Sequence, residues 1–196
     1  MLLLGSKGIL ANLTTNNHEV SLVEDELNIS MGTDMSKDPS STAEPTLAQQ
    51  ARTLMRVGGF STLSTISLKH PEYPFGSVMP YADDDAGSPL FLISQMAVHT
   101  KNLRAQTRAT LLVAASSGSL GSARISVMGD VAKVEGDAIQ EVAQTYLSRH
   151  PDSRQWAGFG DFGFYRMTVK DVYFIGGFGV MGWINAEDYR AADSNV

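Results

Sequence analysis

The feature that most constrains this chain is a succession of short β-type runs with few long connections between them. FSTLSTISL (60–68), PFGSVMPYA (74–82), LFLIS (90–94), ATLLVAA (109–115), ARISVMGDVAKVEG (123–136), FGFYRMTV (162–169) and DVYFIGG (171–177) follow in order. Only two stretches with a helical period, about 97–107 and 138–149, interrupt them. Parallel strands need a crossover of a dozen or more residues, which most of these connections cannot supply. The pattern therefore predicts a mainly β, α+β fold with an antiparallel barrel rather than a doubly wound parallel sheet.

Local signals refine that outline. Asp83 to Pro89 has the turn chemistry of a hairpin loop. In 123–136, Ile125, Val127 and Val131 alternate with Arg124, Ser126 and Asp130, and Gly129 marks a bulge. TLAQQARTLMRVGG (46–59) spaces Leu47, Ala51, Leu54 and Met55 as an amphipathic helix ended by Gly58-Gly59, and Ser41-Thr-Ala-Glu44 reads as its capping box. Asp137 is the expected cap of the second long helix.

The first 44 residues show no sustained period and hold two basic residues, Lys7 and Lys37, against seven acidic ones. They read as a weakly ordered acidic arm, with a barrel domain over 45–190. The rest of the chain is nearly neutral, with 13 basic and 14 acidic residues and no basic stripe, so nucleic acid is not an expected partner. No apolar run reaches the roughly 20 residues of a membrane span, and Met1 to Leu4 is too short for a signal segment; a cytoplasmic protein is expected. Absence of cysteine excludes thiolate nucleophiles and Cys-ligated metals. The four histidines, at 18, 70, 99 and 150, include no pair at metal-ligand spacing, and no metal site is expected.

Chemistry concentrates in SQMAVHTKNL (94–103), where a strand turns into a helix. Free backbone N–H groups, the hydroxyls of Ser94 and Thr100 and the charge of Lys101 suit an anion, and Arg124 would add a bidentate grip if its strand lay beside that helix. The alternative is a capped surface helix with an exposed strand arginine. His99 is a candidate phosphate donor, proton carrier or haem ligand, or a local hydrogen-bonding residue. The sequence holds neither a GxSxG elbow nor a P-loop lysine. In GGFGVMGW (176–183), Phe178 and Trp183 either stack on an aromatic ligand or pack in the core. No catalytic residue is assigned.

Five segments in consistent order, YPFGSVMPYADDDAGSPLFLISQMAVHTKNL (73–103), ARISVMGDVAKVEG, YLSRHP (146–151), FGDFGFYRMTV (159–169) and IGGFGVMGWI (175–184), resemble the pyridoxamine 5′-phosphate oxidase-like superfamily of FMN-binding split barrels. Within it they are most similar to the HugZ-type haem-utilisation branch and CREG-like proteins. The resemblance implies a six-stranded antiparallel split barrel that forms a homodimer with ligand sites between protomers. It also implies that Ser77, Val78 and Met79 lie along a flavin ring, that Ser94, Thr100, Lys101 and Arg124 lie near its phosphate, and that His99 neighbours them. An FMN-dependent oxidoreductase acting on a small redox substrate is the first function it implies. A haem-binding or haem-degrading protein, with haem in place of FMN, is the second, and a non-catalytic CREG-like binding protein the third. The basic residues of vitamin B6 oxidases are missing from Phe75 to Pro80 and from Ile184 to Glu187 directly after Trp183, and no histidine follows His150, where HugZ-type proteins carry an iron ligand.

Overall fold

The computed structural model of the chain describes residues 44–58, 60–115 and 121–194; residues 1–43 of the expected acidic arm, Ser41 among them, lie outside the described residues. In chain order the elements are α1 (Leu47–Val57), β1 (Phe60–Ile66), β2 (Pro74–Pro80), β3 (Ala82–Asp83), β4 (Pro89–Ser94), α2 (Val98–Ala105), β5 (Arg108–Ala114), β6 (Arg124–Lys133), α3 (Ala138–Arg149), a 3₁₀ turn (Pro151–Ser153), α4 (Arg154–Ala157), β7 (Phe162–Gly177), β8 (Val180–Asn185) and α5 (Ala186–Ala191). The strands form one curled sheet in the order β2-β1-β5-β6-β7-β4-β3, with β8 also on β7, and every pairing is antiparallel.

This is the expected split-barrel class, with eight strands rather than six because the two-residue β3 and the glycine-containing β8 also pair. The two runs at 162–177 are one 16-residue strand, not two. Its first half pairs with β4 and its second half with β8, so a change of neighbour, not a turn, divides it. Lys170-Asp171 contains neither glycine nor proline to break the strand.

Helix α1 is capped at Thr46, five residues later than the expected Ser41. Thr46 Oγ1 accepts from Gln49 N (3.2 Å) and Gln49 Oε1 accepts from Thr46 N (2.9 Å), a complete capping box preceded by Pro45. Asp137 precedes α3 but makes no side-chain cap, because its own backbone is already helical.

The main core lies inside the curl. Leu63, Leu111, Val113, Ile125, Val127, Met167, Val172 and Phe174 meet Leu54 and Met55 of α1 there. A second cluster, Leu90, Val142, Tyr146 and Phe164, seats α3 against the opposite side of β4 and β7. The register of β6 on β7 slips between Met128 and Gly129, where a Cβ on Gly129 would run into the Thr168 carbonyl. Thus the irregularity expected at Gly129 is present, but the extra residue is Lys170 of β7, and the close approach of that strand is what requires glycine at 129.

Candidate functional site

The expected residues divide between two surfaces. On the first, α2 packs against β1 and β2. Asn102 is buried; its Nδ2 donates to Thr65 Oγ1 (2.9 Å) and its Oδ1 accepts from Leu68 N (2.8 Å). These bonds hold the helix over the barrel's lower end and bring His99 Nδ1 to 3.2 Å from Ser77 Oγ. His99 Nε2 is buried without a partner, as is Thr100 Oγ1 on a residue with no exposed surface. Desolvation lowers the His99 pKa below its ordinary value of 6.5, so the ring is neutral at pH 7.

Ser94, at the end of β4, is already engaged. Its Oγ donates to Asp161 Oδ2 (2.7 Å) and accepts from Met96 N (3.1 Å). The cap of α2 is Ala97, which has no side-chain bond to give. Ser94 therefore shares its corner with a carboxylate, Thr100 points into the protein, and Lys101 is exposed. Arg124 lies elsewhere. It pairs with Ala114, whereas α2 enters β5 near Arg108, six residues away or about 20 Å along the strand. Within one chain these groups do not converge.

The second surface is the outer face of the sheet. Strand alternation sends Met79 (5 % exposed) inward and Val78 (77 %) outward, so Ser77, Val78 and Met79 do not share a face. One register row runs outward from Val78 through Thr62, Leu112, Ser126 and Tyr173 to Trp183. Arg124 stands one outward position along β6 from Ser126 and donates to the Ser122 carbonyl (3.3 Å). Trp183 and Tyr173 lie 4.9 Å apart between ring centroids; Trp183 and Phe178 are both exposed, so neither packs in the core.

A trough of about 380 Å³ opens on this face below that row, where β1, β2, β5 and β6 present Ile66, Pro74, Thr110 and Met128. Its walls are mainly apolar. Arg108 and Lys170 line one side, with Asp130 between them. Sequence reading missed these three residues because no motif marks them. The usable signal was alternation: Arg108 and Asp130 flank inward-facing Ala109, Gly129 and Val131, which puts both outside.

Sequence reading also missed a buried ionic cluster under the β3–β4 hairpin. Arg56 Nε lies 3.2 Å from Asp83 Oδ2, while Arg52 donates to the Asp85 carbonyl (2.7 Å) and stands over the Tyr189 ring. Arg149 bonds the Gly58 carbonyl, and the Tyr81 hydroxyl donates to the Met55 carbonyl (2.8 Å). His150 is occupied as well, with Nε2 2.6 Å from the Tyr81 carbonyl oxygen. This cluster ties α1, α3 and α5 to one hairpin.

Residues 42–191 match the family described as CREG, beta-barrel. The chain belongs to that family. The barrel domain, outer trough and α2 corner of this CREG-family protein all fall within the match. It is 35% identical over 148 residues to the non-canonical heme oxygenase HOZ, chloroplastic, of Arabidopsis thaliana, covering 74% of this chain and 46% of that protein. It spans about half the length of the curated relatives it matches. Among solved structures, a heme binding protein from Mycobacterium smegmatis superposes with a TM-score of 0.72 at 28% identity, over 78% of this chain and 63% of that one. A pyridoxamine 5′-phosphate oxidase-type protein from Listeria innocua shares the fold at 15% identity and a TM-score of 0.53, over 67% of this chain and 100% of that one.

Among the described residues there is no cluster of His, Cys, Asp or Glu able to hold a metal ion, and no helix long and apolar enough to cross a membrane.

Proposed function

We propose that this CREG-family barrel binds haem on the outer face of its sheet. The observation that carries the reading is the outer trough, whose apolar walls and flanking cations suit a flat apolar ring bearing carboxylates. Its likeness to a haem oxygenase and to a haem-binding protein supports the same class of ligand. Bound haem would supply redox-active iron; the chain supplies apolar contact through Ile66, Pro74 and Met128 and charge through Arg108 and Lys170. His99 and His150 are not positioned to ligate iron in the trough. His99 Nε2 is buried and its Nδ1 meets Ser77, while His150 Nε2 meets the Tyr81 carbonyl.

The same face supports self-association. Val78, Leu112, Met181 and Trp183 are exposed on it, and exposed apolar side chains gathered on one face mark an association surface. In this reading a second copy covers that surface, and the trough lies at or beside the seam of a homodimer. Light scattering of the purified chain tests it: a dimer mass is expected, and a strictly monomeric mass at micromolar concentration refutes it.

FMN is the second reading, and one observation favours it. Val78 and Arg124 share the outer face, and three strand spacings, about 14 Å, separate Val78 from Ser126 beside Arg124. A flavin spanning that distance would meet Val78 with its ring and Arg124 with its phosphate, while the Asp161 carboxylate beside Ser94 disfavours a phosphate at the α2 corner. Absorbance of the native chain, then of the chain with added hemin or FMN, separates the readings. A Soret band supports haem, quenched and shifted flavin spectra support an FMN oxidoreductase, and neither leaves the non-catalytic binding role.

A further inference from the structure

We infer that Arg108 and Lys170 form a carboxylate grip at one side of the outer trough, and that this grip fixes which way round the ligand lies. The inference rests on the haem reading and goes beyond it by assigning an orientation and the residues that set it.

The grip follows from strand register. Arg108 opens β5 and pairs with Asp130 of β6, which in turn pairs with Thr168 of β7, two residues before Lys170. Alternation turns Ala109 into the core and Arg108 outward. Gln106, oriented to satisfy both groups, places its side-chain oxygen against Arg108 Nε (2.9 Å) and Nη2. One edge of the guanidinium is thereby held, while its Nη1 donors remain available for an incoming acceptor.

Lys170 and Asp130 complete that side. Lys170 Nζ lies 3.8 Å from Asp130 Oδ2, a loose pair on a largely exposed side chain, and Asp130 Oδ1 accepts from Thr107 Oγ1 (2.8 Å). Two cations therefore face one carboxylate whose position is pinned, and the local charge is net positive. The opposite wall, Ile66 and Pro74, carries no charge. A ligand with an apolar body and carboxylates at one edge has a single favourable orientation in such a trough, with its carboxylates at Arg108 and Lys170. Asp130 sets a limit: its residual negative charge weakens the hold on any anion, so neutralising it should tighten binding.

The test compares hemin with hemin dimethyl ester, which keeps the ring and iron and removes both negative charges, by absorbance titration of the full chain. Wild type is expected to bind the diacid more tightly than the diester. The Arg108→Gln/Lys170→Gln double variant should lose roughly tenfold for the diacid, about what one charge-assisted hydrogen bond supplies. The same variant should leave the diester unchanged. Asp130→Asn should shift diacid affinity the other way, and circular dichroism verifies that each variant is folded. Equal wild-type affinity for diacid and diester, or a folded double variant that keeps wild-type diacid affinity, overturns the grip and leaves the haem reading standing. A wild type that binds neither overturns the haem reading, and the grip with it.

Discussion

His99 Nδ1 and Ser77 Oγ lie 3.2 Å apart, joining α2 to β2, while His99 Nε2 is buried without a partner. This geometry favours a neutral ring, because protonating both ring nitrogens would place a charge where Nε2 has no partner to receive it. Folding therefore lowers the His99 pKa from 6.5. A group whose folded pKa is depressed contributes stability above its unfolded pKa and loses it as pH falls through the folded value. Relative to His99→Gln, the wild type should lose stability as pH drops below 6.5. Urea denaturation of both chains between pH 5 and pH 8 measures the difference, and a pH-independent gap would refute the assignment.

The same contact predicts a spectroscopic result. If hemin occupies the outer trough, His99 is not its axial ligand, because Ser77 and burial engage both ring nitrogens. His99→Ala should leave the Soret position of the hemin-loaded chain unchanged. A shift to a five-coordinate spectrum, reversed by added imidazole, would instead make His99 the ligand.

Much of the fold was legible because its signals were local. Alternation in 123–136 marked β6 and the irregularity at Gly129, turn residues marked the β3–β4 hairpin, and the apolar period marked α1. The continuous β7 was not legible, because hydrophobic pattern does not reveal a strand that changes neighbours halfway. The site was less legible for a related reason. Ser94, Thr100 and Lys101 are close in sequence but point to Asp161, to the interior and to solvent, respectively. Arg108, Asp130 and Lys170 are far apart in sequence, and only strand register brings them to one rim.

Gly129 offers a direct test of the bulge. A Cβ there would press on the Thr168 carbonyl and lie 2.8 Å from Met167 Cγ. The methionine can move, but the backbone carbonyl belongs to the β6–β7 ladder. Gly129→Ala should therefore cost about 1–3 kcal/mol, the usual range for overpacking a core. A folded variant with an unchanged urea midpoint would mean that the strands slide past each other freely at this point.

Arg52 should be the least replaceable cation of the buried cluster. It is 2 % exposed, donates to the carbonyls of Asp85 (2.7 Å) and Tyr189 (3.5 Å), and lies 5.4 Å from the Tyr189 ring centroid. Lysine cannot reproduce a planar fork that reaches two carbonyls while stacking on a ring. Arg52→Lys is expected to destabilise by about 1.5–3 kcal/mol, the contribution of a hydrogen bond to a charged group. Calorimetry measures it; a wild-type melting temperature in the lysine variant would reduce Arg52 to a simple counter-charge.

Asp83 sets burial against three arginines. It is 2 % exposed, and desolvation raises its pKa above the ordinary 3.8 despite the opposing pull of Arg56, Arg149 and Arg52. Removing the carboxylate from water thus outweighs the attraction of its cations. A raised folded pKa makes the site's contribution complete below the unfolded pKa and diminishes it as pH rises through the folded one. The stability of wild type relative to Asp83→Asn should therefore fall as pH rises from about 4, because only the wild type must ionise a buried group. Parallel denaturation curves of the two chains from pH 4 to pH 7 measure that slope. A difference that grows with pH instead would mean that the arginines win, and that the ionised hairpin is the more stable form.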